Sequence, residues 1–277
     1  MLSEITLPKK GLYNCQVLFN DNLGDAIYRM RLHCPEIAAE SAPGQFVNVK
    51  VNREFIPLLR KPFSICQRNS RESWFDILWK VVGKGTSVLS GLQKGDCVSV
   101  LGPLGHGFNV VPDLRQALLV AGGLGVAPFP FLCDKLLKAG KSIKLFLGAR
   151  NQQELALVEN FRSLPVALQL TTEDGSAGSQ GLVTDALIQY LSQRHDLTQT
   201  EIFACGPIGL LKRICEISDD YNVSSQVALE TMMACGFGIC MGCPVRLRDP
   251  NPNIRDVYKL TCIDGPVFDS SEILLND

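Results

Sequence analysis

Residues 234–243 read Ala234-Cys235-Gly236-Phe237-Gly238-Ile239-Cys240-Met241-Gly242-Cys243, and a fourth cysteine, Cys262, follows after a longer gap. A C-x4-C-x2-C spacing with a more distant fourth cysteine is typical of plant-type [2Fe–2S] ligation. Such a site needs four thiolates that converge on a two-iron core. Gly236, Gly238 and Gly242 let the loop adopt positive φ and keep side chains away from sulfides that backbone N–H groups stabilise. The predicted metal ligands are Cys235, Cys240, Cys243 and Cys262.

Two other interpretations of these cysteines are open. Free cysteine is among the most buried residue types, so the four side chains can be inert core residues. A structural zinc site is the second alternative, because four cysteines commonly bind zinc. Zinc sites usually use two short C-x2-C units, whereas Cys262 has no cysteine near it in sequence. The spacing and the glycine content together favour the iron–sulfur cluster.

Size and composition indicate an ordinary globular protein of about two domains. The chain has 277 residues, of which 46% are hydrophobic and 20% are charged. A formal net charge of −1 offers no basic face for nucleic acid. No apolar run approaches the roughly 18 residues of a membrane span. Residues 1–10 lack an apolar signal core, and the 11 cysteines are scattered outside the cluster motif, so we expect a mature cytoplasmic chain without disulfides.

The first third of the chain predicts a small β-barrel, because runs of β-forming residues at 45–51, 74–82 and 97–101 are separated by Gly and Pro turns. Within it, Arg60-Lys61-Pro62-Phe63-Ser64-Ile65 places two cations before an aromatic ring and a hydroxyl. Cations suit a phosphate, Phe63 is suited to cover a flat ring, and Ser64 can bond its edge. A basic surface turn with Phe63 in the core explains the same residues equally well.

A second motif in this region is the glycine-rich turn Val82-Gly83-Lys84-Gly85-Thr86-Ser87, which precedes a predicted helix at 88–92. A glycine turn before a helix presents free N–H groups, with Thr86 as the candidate N-cap, and forms an anion site. Ordinary capping of a short helix is an equally good explanation. Together the two motifs are suited to hold the diphosphate of a dinucleotide such as FAD.

After Gly102-Pro103-Leu104-Gly105, which we interpret as a hinge, strands and helices alternate, which predicts a parallel sheet covered on both faces. Gly122-Gly123-Leu124-Gly125 follows the first strand, at the edge where such sheets bind ligands, although Pro128 replaces the third glycine of a G-x-G-x-x-G motif. Cys205-Gly206-Pro207 should reach the same edge. Without a nicotinamide above it, Cys205 is better explained as a buried small residue. The predicted strands are 117–121, 143–147, 167–171 and 202–204, and the predicted helices are 128–139, 154–164, 184–193 and 208–217.

The order of a flavin barrel, a pyridine-nucleotide domain and a cysteine cluster resembles the ferredoxin reductase superfamily. Within it, the chain is most similar to the electron-transfer subunits of NAD-linked dihydroorotate dehydrogenases. The most specific matches are Leu229-Glu230, Met233-Ala234-Cys235-Gly236 with the cysteines that follow, and Cys262-Ile263-Asp264-Gly265-Pro266-Val267-Phe268. The resemblance implies an FAD-binding β-barrel domain at 1–104, an NAD-binding α/β domain at 105–223 and a small [2Fe–2S] cluster domain at 224–277.

The resemblance also implies which residues hold the cofactors, with two departures from the family pattern. The superfamily motif has Arg and Tyr where this chain has Lys61 and Phe63, so either Arg60 or Lys61 would pair with phosphate. Pro244, directly after the third cysteine, cannot donate an N–H to a sulfide. The implied flavin residues are Arg60, Lys61, Pro62, Phe63, Ser64, Leu78, Trp79, Lys80, Gly85 and Thr86, and the candidate NAD residues are Gly122, Gly123, Gly125, Cys205 and Gly206.

The function that the resemblance implies is electron transfer in pyrimidine biosynthesis. In this family dihydroorotate is oxidised at an FMN in a separate catalytic subunit, and this chain would pass the electrons through [2Fe–2S] and FAD to NAD⁺. Two copies of each subunit would form a heterotetramer, with the base for dihydroorotate on the partner, so no catalytic residue is predicted here. The alternative is a reductase subunit of another NAD(P)H-linked complex, such as a hydrogenase or a ferredoxin-linked oxidoreductase. The sequence does not distinguish NAD from NADP.

Overall fold

The first part of the protein is a closed antiparallel barrel. The structure, a computed structural model, describes residues 10–51, 58–155, 157–194, 196–248 and 258–275. The barrel elements are β1 (Gly11–Gly24), β2 (Ile27–His33), α1 (Pro35–Glu40), β3 (Phe46–Lys50), β4 (Lys61–Asn69), β5 (Trp74–Lys80), α2 (Lys84–Ser90) and β6 (Cys97–Leu104). The strands follow the order β1-β2-β5-β4-β3-β6, and β6 pairs back with β1. This closure confirms the predicted barrel and leaves the sheet without a free edge.

Along β4 and β5, side chains point alternately into the barrel interior and towards the second domain. Phe63 of β4, together with Ile77 and Trp79 of β5, is buried in the interior. Cys66 of β4 and Leu78 of β5, on the opposite faces of the same strands, pack against the second domain. The outward faces of β4 and β5 therefore line the junction between the two domains.

The second domain is a largely parallel sheet with helices on both faces, as predicted. Its elements are β7 (Gln116–Gly122), α3 (Phe129–Lys138), β8 (Ser142–Ala149), α4 (Val158–Arg162), β9 (Ala167–Thr172), β10 (Ser179–Gln180), α5 (Val183–Ser192), β11 (Thr200–Cys205), α6 (Ile208–Tyr221) and β12 (Ser224–Ala228). Along β7, Leu119 packs in the core on the α3 face. Leu118 and Val120 pack in the core on the α5 and α6 face. Burial of both faces explains why this strand reads as a continuous apolar run.

The C-terminal part is anchored in the large sheet. It contributes β13 (Pro244–Leu247), β14 (Tyr258–Leu260), β15 (Val267–Asp269) and β16 (Ile273–Leu274). The small sheet has the order β14-β13-β16, while the large sheet runs β10-β9-β8-β7-β11-β12-β15 with β15 antiparallel to β12. The expected boundary at residue 223 therefore separates β12 from its own sheet. We propose instead that the cluster part begins after Ala228.

Several local predictions differ from the structure. The expected hinge at 102–105 is not a separate linker, because Gly102, Pro103 and Leu104 complete β6. The helix expected at 88–92 begins earlier, at Lys84. The helix expected at 154–164 is divided into a 3₁₀ turn at Gln152–Glu154 and the short α4. In the described ranges, no helix has both the length and the apolar character needed to cross a membrane.

Candidate functional site

The cysteine loop between β12 and β13 packs against the outside of the barrel. Cys243 and Cys262 are buried with Phe46 of β3, Leu104 of β6 and Leu260 of β14. Cys243 directly precedes β13 and Cys262 closely follows β14, and the pairing of Pro244 with Leu260 joins these two strands. The N–H of Thr261 donates to the carbonyl oxygen of Cys243 at 2.9 Å. The hairpin therefore brings the third and fourth predicted ligands together across a gap of sequence.

The first part of the loop depends on two glycines with positive φ. Gly236 has φ +79° and Gly238 has φ +92°. A Cβ on Gly236 would lie 1.9 Å from Nδ2 of Asn48, so the loop approaches the barrel too closely for any side chain there. Gly242 does not share this conformation; Met241 does, with φ 55°. The prediction of positive φ is therefore wrong for Gly242.

The four cysteines lie in two neighbouring pairs. The backbone N–H of Cys240 donates to the Sγ of Cys235, and Cys243 and Cys262 are buried together where β13 and β14 pair. In the part of the chain that the structure describes, no three His, Cys, Asp or Glu side chains converge on a point where one metal ion could bind. Two such pairs suit a core of two irons with two ligands each.

Backbone N–H groups surround the first ligand. Burial by itself raises the pKa of Cys235, but hydrogen bonds from Cys240 and from the N–H groups of Phe237 and Ile239 outweigh it and lower the pKa to about 6. The N–H of Cys240 lies 3.4 Å from the Cys235 Sγ. Burial, with the Cys243 thiol adding to it, raises the pKa of Cys262 to about 12. N–H donors aimed at sulfur are what an anionic cluster requires, so the donor set fits the predicted group.

A second candidate site lies at the carboxyl ends of the parallel strands. A cavity of about 770 Å³ opens beyond β7, β8 and β9, and Gly122 and Gly123 form part of its wall. This is the edge at which open α/β sheets bind ligands, and the volume is in the usual range for a small-molecule site. Charged residues that line it are Lys80, Arg150, Glu154, Glu173, Asp185 and Arg213.

The other candidate NAD residues, Gly125, Cys205 and Gly206, support the end of β7 at this edge of the sheet. A Cβ on Gly125 would lie 2.1 Å from the carbonyl oxygen of Cys205, so the glycine turn rests directly on the end of β11. Gly206 has φ +155°, and a Cβ there would lie 3.0 Å from the N of Gly122. The Cys205 side chain is 2% exposed, and burial, with the Glu230 carboxylate, raises the pKa of its thiol well above the ordinary value. These three residues thus allow close packing of β7 and β11.

The candidate flavin residues divide between the two faces of the barrel strands. Phe63 lies inside the barrel, where its ring centroid is 5.7 Å from that of the buried Trp79. The expectation that Phe63 covers a flat ring is therefore wrong, and the core explanation holds. Pro62 and Ser64, in contrast, alternate with it on the outer face of β4. Leu78 and Lys80 occupy the matching face of β5.

The two cations of the first flavin motif differ in their partners. Nη1 of Arg60 donates to the carbonyl oxygen of Ser99 at 2.8 Å, and Nη2 donates to its Oγ at 3.0 Å. This guanidinium is therefore engaged with β6. Lys61 is half-buried at the start of β4, on the same strand face as Phe63, and its contact with a phosphate stays a prediction.

The glycine-rich turn caps its helix differently from the prediction. Gly83, not Thr86, is the N-cap of α2, and Thr86 lies in the first turn. The Thr86 hydroxyl accepts hydrogen bonds from the N–H groups of Val82 at 3.0 Å and Gly83 at 3.2 Å. The N–H groups of Lys84 and Gly85 have no intrahelical acceptor in this first turn, so Gly85 is placed to meet an anion.

Sequence analysis named Lys80 among the implied flavin residues but missed the charged group that it forms at the cavity. Nζ of Lys80, on the barrel, lies 2.5 Å from Asp25 and 3.3 Å from Glu154 of the second domain. Arg150 also pairs with Glu154, and mainly through this bond the pKa of Glu154 falls to about 2. The i,i+4 spacing of Arg150 and Glu154 was the sequence signal for that pair. The contact to Lys80 depends on how the domains pack.

Known protein families match the same three parts of the chain. Residues 20–108 match an oxidoreductase FAD-binding domain, residues 119–216 match an oxidoreductase NAD-binding domain, and residues 230–274 match the iron–sulfur cluster binding domain of dihydroorotate dehydrogenase B. Among solved structures, a chain from an NADH-dependent reduced ferredoxin–NADP oxidoreductase superposes with a TM-score of 0.82 at 30% identity, over 96% of this chain and 91% of that one.

Two curated relatives carry the same description. The electron-transfer subunit of dihydroorotate dehydrogenase B (NAD(+)) from Desulforamulus reducens is 32% identical over 95% of this chain and 98% of its own length. Its counterpart from a Geobacillus species is 36% identical over 90% of this chain and 93% of its own length. Since such identity extends over nearly the whole of each protein, the chain belongs to the family of electron-transfer subunits of dihydroorotate dehydrogenase B.

Proposed function

We propose that this chain transfers electrons from dihydroorotate, oxidised on a partner subunit, to NAD⁺ in pyrimidine biosynthesis. The observation that carries the proposal is that one barrel contacts both sites: β3 and β6 pack against the cysteine loop, and Lys80 of β5 lines the nucleotide cavity. When bound, FAD exchanges a hydride with nicotinamide and single electrons with the cluster. All 11 cysteines are free thiols, which supports a reducing compartment such as the cytoplasm.

Different residues of this chain would bind the three cofactors. Cys235 and Cys240 would hold one iron of a [2Fe–2S] core, and Cys243 and Cys262 the other. Lys61 and the first turn of α2 would hold the FAD phosphates, while Ser64 would bond the flavin edge from the outer face of β4. Gly122 and Gly123 would allow the NAD diphosphate to approach the backbone.

An exposed apolar surface around the cluster loop supports docking of the partner there. Met232, Phe237, Ile239 and Met241 are all exposed, Met232 by 89% and Ile239 by 77%. Ile239 and Met241 flank Cys240 in sequence, and Cys240 is the exposed member of the four cysteines. Contiguous apolar side chains on a soluble surface mark interaction sites. We propose that this surface, the cluster rim, contacts an FMN-containing catalytic subunit in a heterotetramer of two copies of each.

The cluster rim gives a direct prediction for Ile239→Glu. A carboxylate placed in an apolar interface must be desolvated without a partner, so affinity for the catalytic subunit should fall about tenfold or more. Size-exclusion chromatography and co-purification measure the association, and the visible spectrum reports the cluster. Leu23→Glu, at an exposed position on β1, is the matched control and should leave the complex intact. Equal association of the Ile239→Glu variant and the wild type would count against the cluster rim as the docking surface.

Purification of the chain with and without its partner tests the function itself. The isolated chain should be brown, should contain flavin and iron, and should oxidise NADH with artificial acceptors. Dihydroorotate should reduce NAD⁺ only after the partner is added. Dihydroorotate oxidation by the isolated chain would refute the proposed division of labour. A colourless chain with bound zinc would refute electron transfer altogether.

A second candidate function follows from one observation. The similarity to a chain of an NADH-dependent reduced ferredoxin–NADP oxidoreductase supports a reductase subunit of another NAD(P)H-linked complex. The same experiment distinguishes the two, because the identity of the co-purifying subunit differs. Reduction of the flavin by reduced ferredoxin, with none by dihydroorotate, would favour this second candidate.

The charges of the nucleotide cavity predict a preference for NAD⁺ over NADP⁺. Glu173 lies just beyond the carboxyl end of β9 and lines the cavity together with Asp185. A carboxylate suits a ribose hydroxyl and repels a 2′-phosphate. Glu173→Gln should therefore reduce the NAD⁺/NADP⁺ ratio of kcat/KM about tenfold, or about 1.4 kcal/mol. Glu159→Gln, at an exposed position of α4, is the control, and an unchanged ratio in the Glu173→Gln variant would contradict this assignment.

A further inference from the structure

One polar side chain outside the candidate motifs connects the flavin barrel to the cysteine loop. Asn48 lies in the middle of β3, opposite Pro62 of β4 and Leu101 of β6. Its neighbours Val47 and Val49 point into the barrel core, so Asn48 points outward, towards the segment that carries the cysteines. The residue is 0% exposed. Asn48 is therefore enclosed between the barrel and the loop.

The side-chain amide of Asn48 contacts the first ligand directly. Its Nδ2 donates to the carbonyl oxygen of Cys235 at 3.2 Å. The absence of a side chain on Gly236 permits this approach, since a Cβ there would lie 1.9 Å from the same Nδ2. The carbonyl and the following N–H of a trans peptide point in opposite directions. The bond therefore fixes the N–H of Gly236 on the side away from the barrel, at the start of the turn whose N–H groups surround the Cys235 sulfur.

The energetics of Asn48 indicate that the amide is not there for the stability of the barrel. Its Oδ1 is buried and has no hydrogen-bond partner among the described residues. Leaving a buried carbonyl unpaired costs about 1–3 kcal/mol, and an apolar residue of similar size would avoid that cost. The bond from Nδ2 to the cysteine loop is the feature that an apolar residue cannot replace.

We propose that Asn48 is a positioning residue that holds the Cys235–Gly236 peptide against the flavin-binding barrel and thereby raises the reduction potential of the cluster. This inference rests on the cluster assignment in the proposed function. A hydrogen bond to the carbonyl polarises the peptide, which strengthens its N–H as a donor. N–H donors near a cluster stabilise the more negative, reduced state. Loss of the amide should therefore make the cluster harder to reduce.

The test compares the full chain, loaded with FAD and cluster, with Asn48→Leu and Asn48→Ala. Leucine has a similar volume but no donor, and alanine cannot clash with the loop. Asn20→Ala is the matched control, because the Asn20 amide also donates to backbone carbonyls, those of Leu89 and Leu92, each at 2.9 Å, on another part of the barrel. Redox titration followed by visible and EPR spectroscopy gives the midpoint potential and the g values of the cluster.

We expect both Asn48 variants to decrease the ratio of reduced to oxidised cluster at a fixed potential by at least about tenfold. This corresponds to a midpoint potential lower by about 59 mV for one electron. The g values of the cluster should also change. The control should match the wild type. Loss of the cluster alone, with FAD content and thermal unfolding unchanged, would also support positioning. Unchanged potentials and g values would overturn the inference, as would a general loss of folding that Asn20→Ala reproduces. A wild-type chain without any cluster would instead overturn the proposed function.

Discussion

Gly236→Ala is expected to remove the iron–sulfur cluster while the flavin remains bound. A non-glycine residue at φ +79° costs about 1–2 kcal/mol from backbone strain. The added Cβ would also lie 1.9 Å from Nδ2 of Asn48, which is enclosed between β3 and the loop and has no room to withdraw. The loop must therefore move away from the barrel and carry Cys235 with it. Iron bound per chain should fall about tenfold or more.

Iron and sulfide analysis and the visible spectrum measure this loss. Gly140→Ala is the matched control, because Gly140 has φ +68° but nothing within 4 Å of an added Cβ. The Gly140→Ala variant has similar backbone strain but no steric clash, so it should keep a full cluster. If the Gly236→Ala variant retained normal iron content and spectrum, the close contact between the loop and Asn48 would not be required for cluster assembly.

Cys262→Ser should uncouple the two halves of the electron path. Cys262 is buried beside Cys243, so its loss would leave one iron of the proposed cluster with an incomplete ligand set. Electron transfer from dihydroorotate to NAD⁺ in the reconstituted complex should fall about 100-fold or more. NADH oxidation with artificial acceptors that react at the flavin should be retained, because the nucleotide cavity and the outer face of β4 are built by other elements.

Steady-state assays of both reactions, with flavin and iron contents, measure this uncoupling. Cys97→Ser, which changes an exposed thiol on the barrel, should leave both reactions at the wild-type rate. Parallel loss of both reactions in the Cys262→Ser variant would indicate unfolding of the C-terminal part. Full dihydroorotate activity without a cluster would show that electrons bypass it.

Sequence patterns were most informative where residues that are close in the sequence are also close in the structure. The C-x4-C-x2-C run places three thiols in one loop, and its conformation at Gly236 and Gly238 follows from the glycines. Likewise, β7 and β11 are apolar because both faces of the parallel sheet are buried, so their ends could be expected at one edge. Apolar content, in contrast, does not tell which face of a strand points inward. Phe63 was therefore assigned to the flavin although it lies in the barrel core.

The contacts between domains could not be obtained from local patterns. Lys80 meets Glu154 across 74 positions of sequence, and Asn48 meets Cys235 across 187. The boundary at residue 223 came from the family resemblance, but β15 returns to pair with β12 and joins the last segment to the large sheet. Hydrogen bonds between distant backbone segments leave no periodic signature in either partner.

The sequence by itself determined the three-part order and the barrel and parallel-sheet classes, and it predicted the cluster ligands, because local spacing and hydrophobic periodicity act over a few residues. Only the tertiary structure decided that Cys243 and Cys262 come together where β13 and β14 pair, that the Arg60 guanidinium bonds Ser99 of β6, and that Asn48 lies beneath the first predicted ligand. These features depend on which faces of separate elements are packed together. That packing minimises the free energy of the whole chain, and no single segment specifies it.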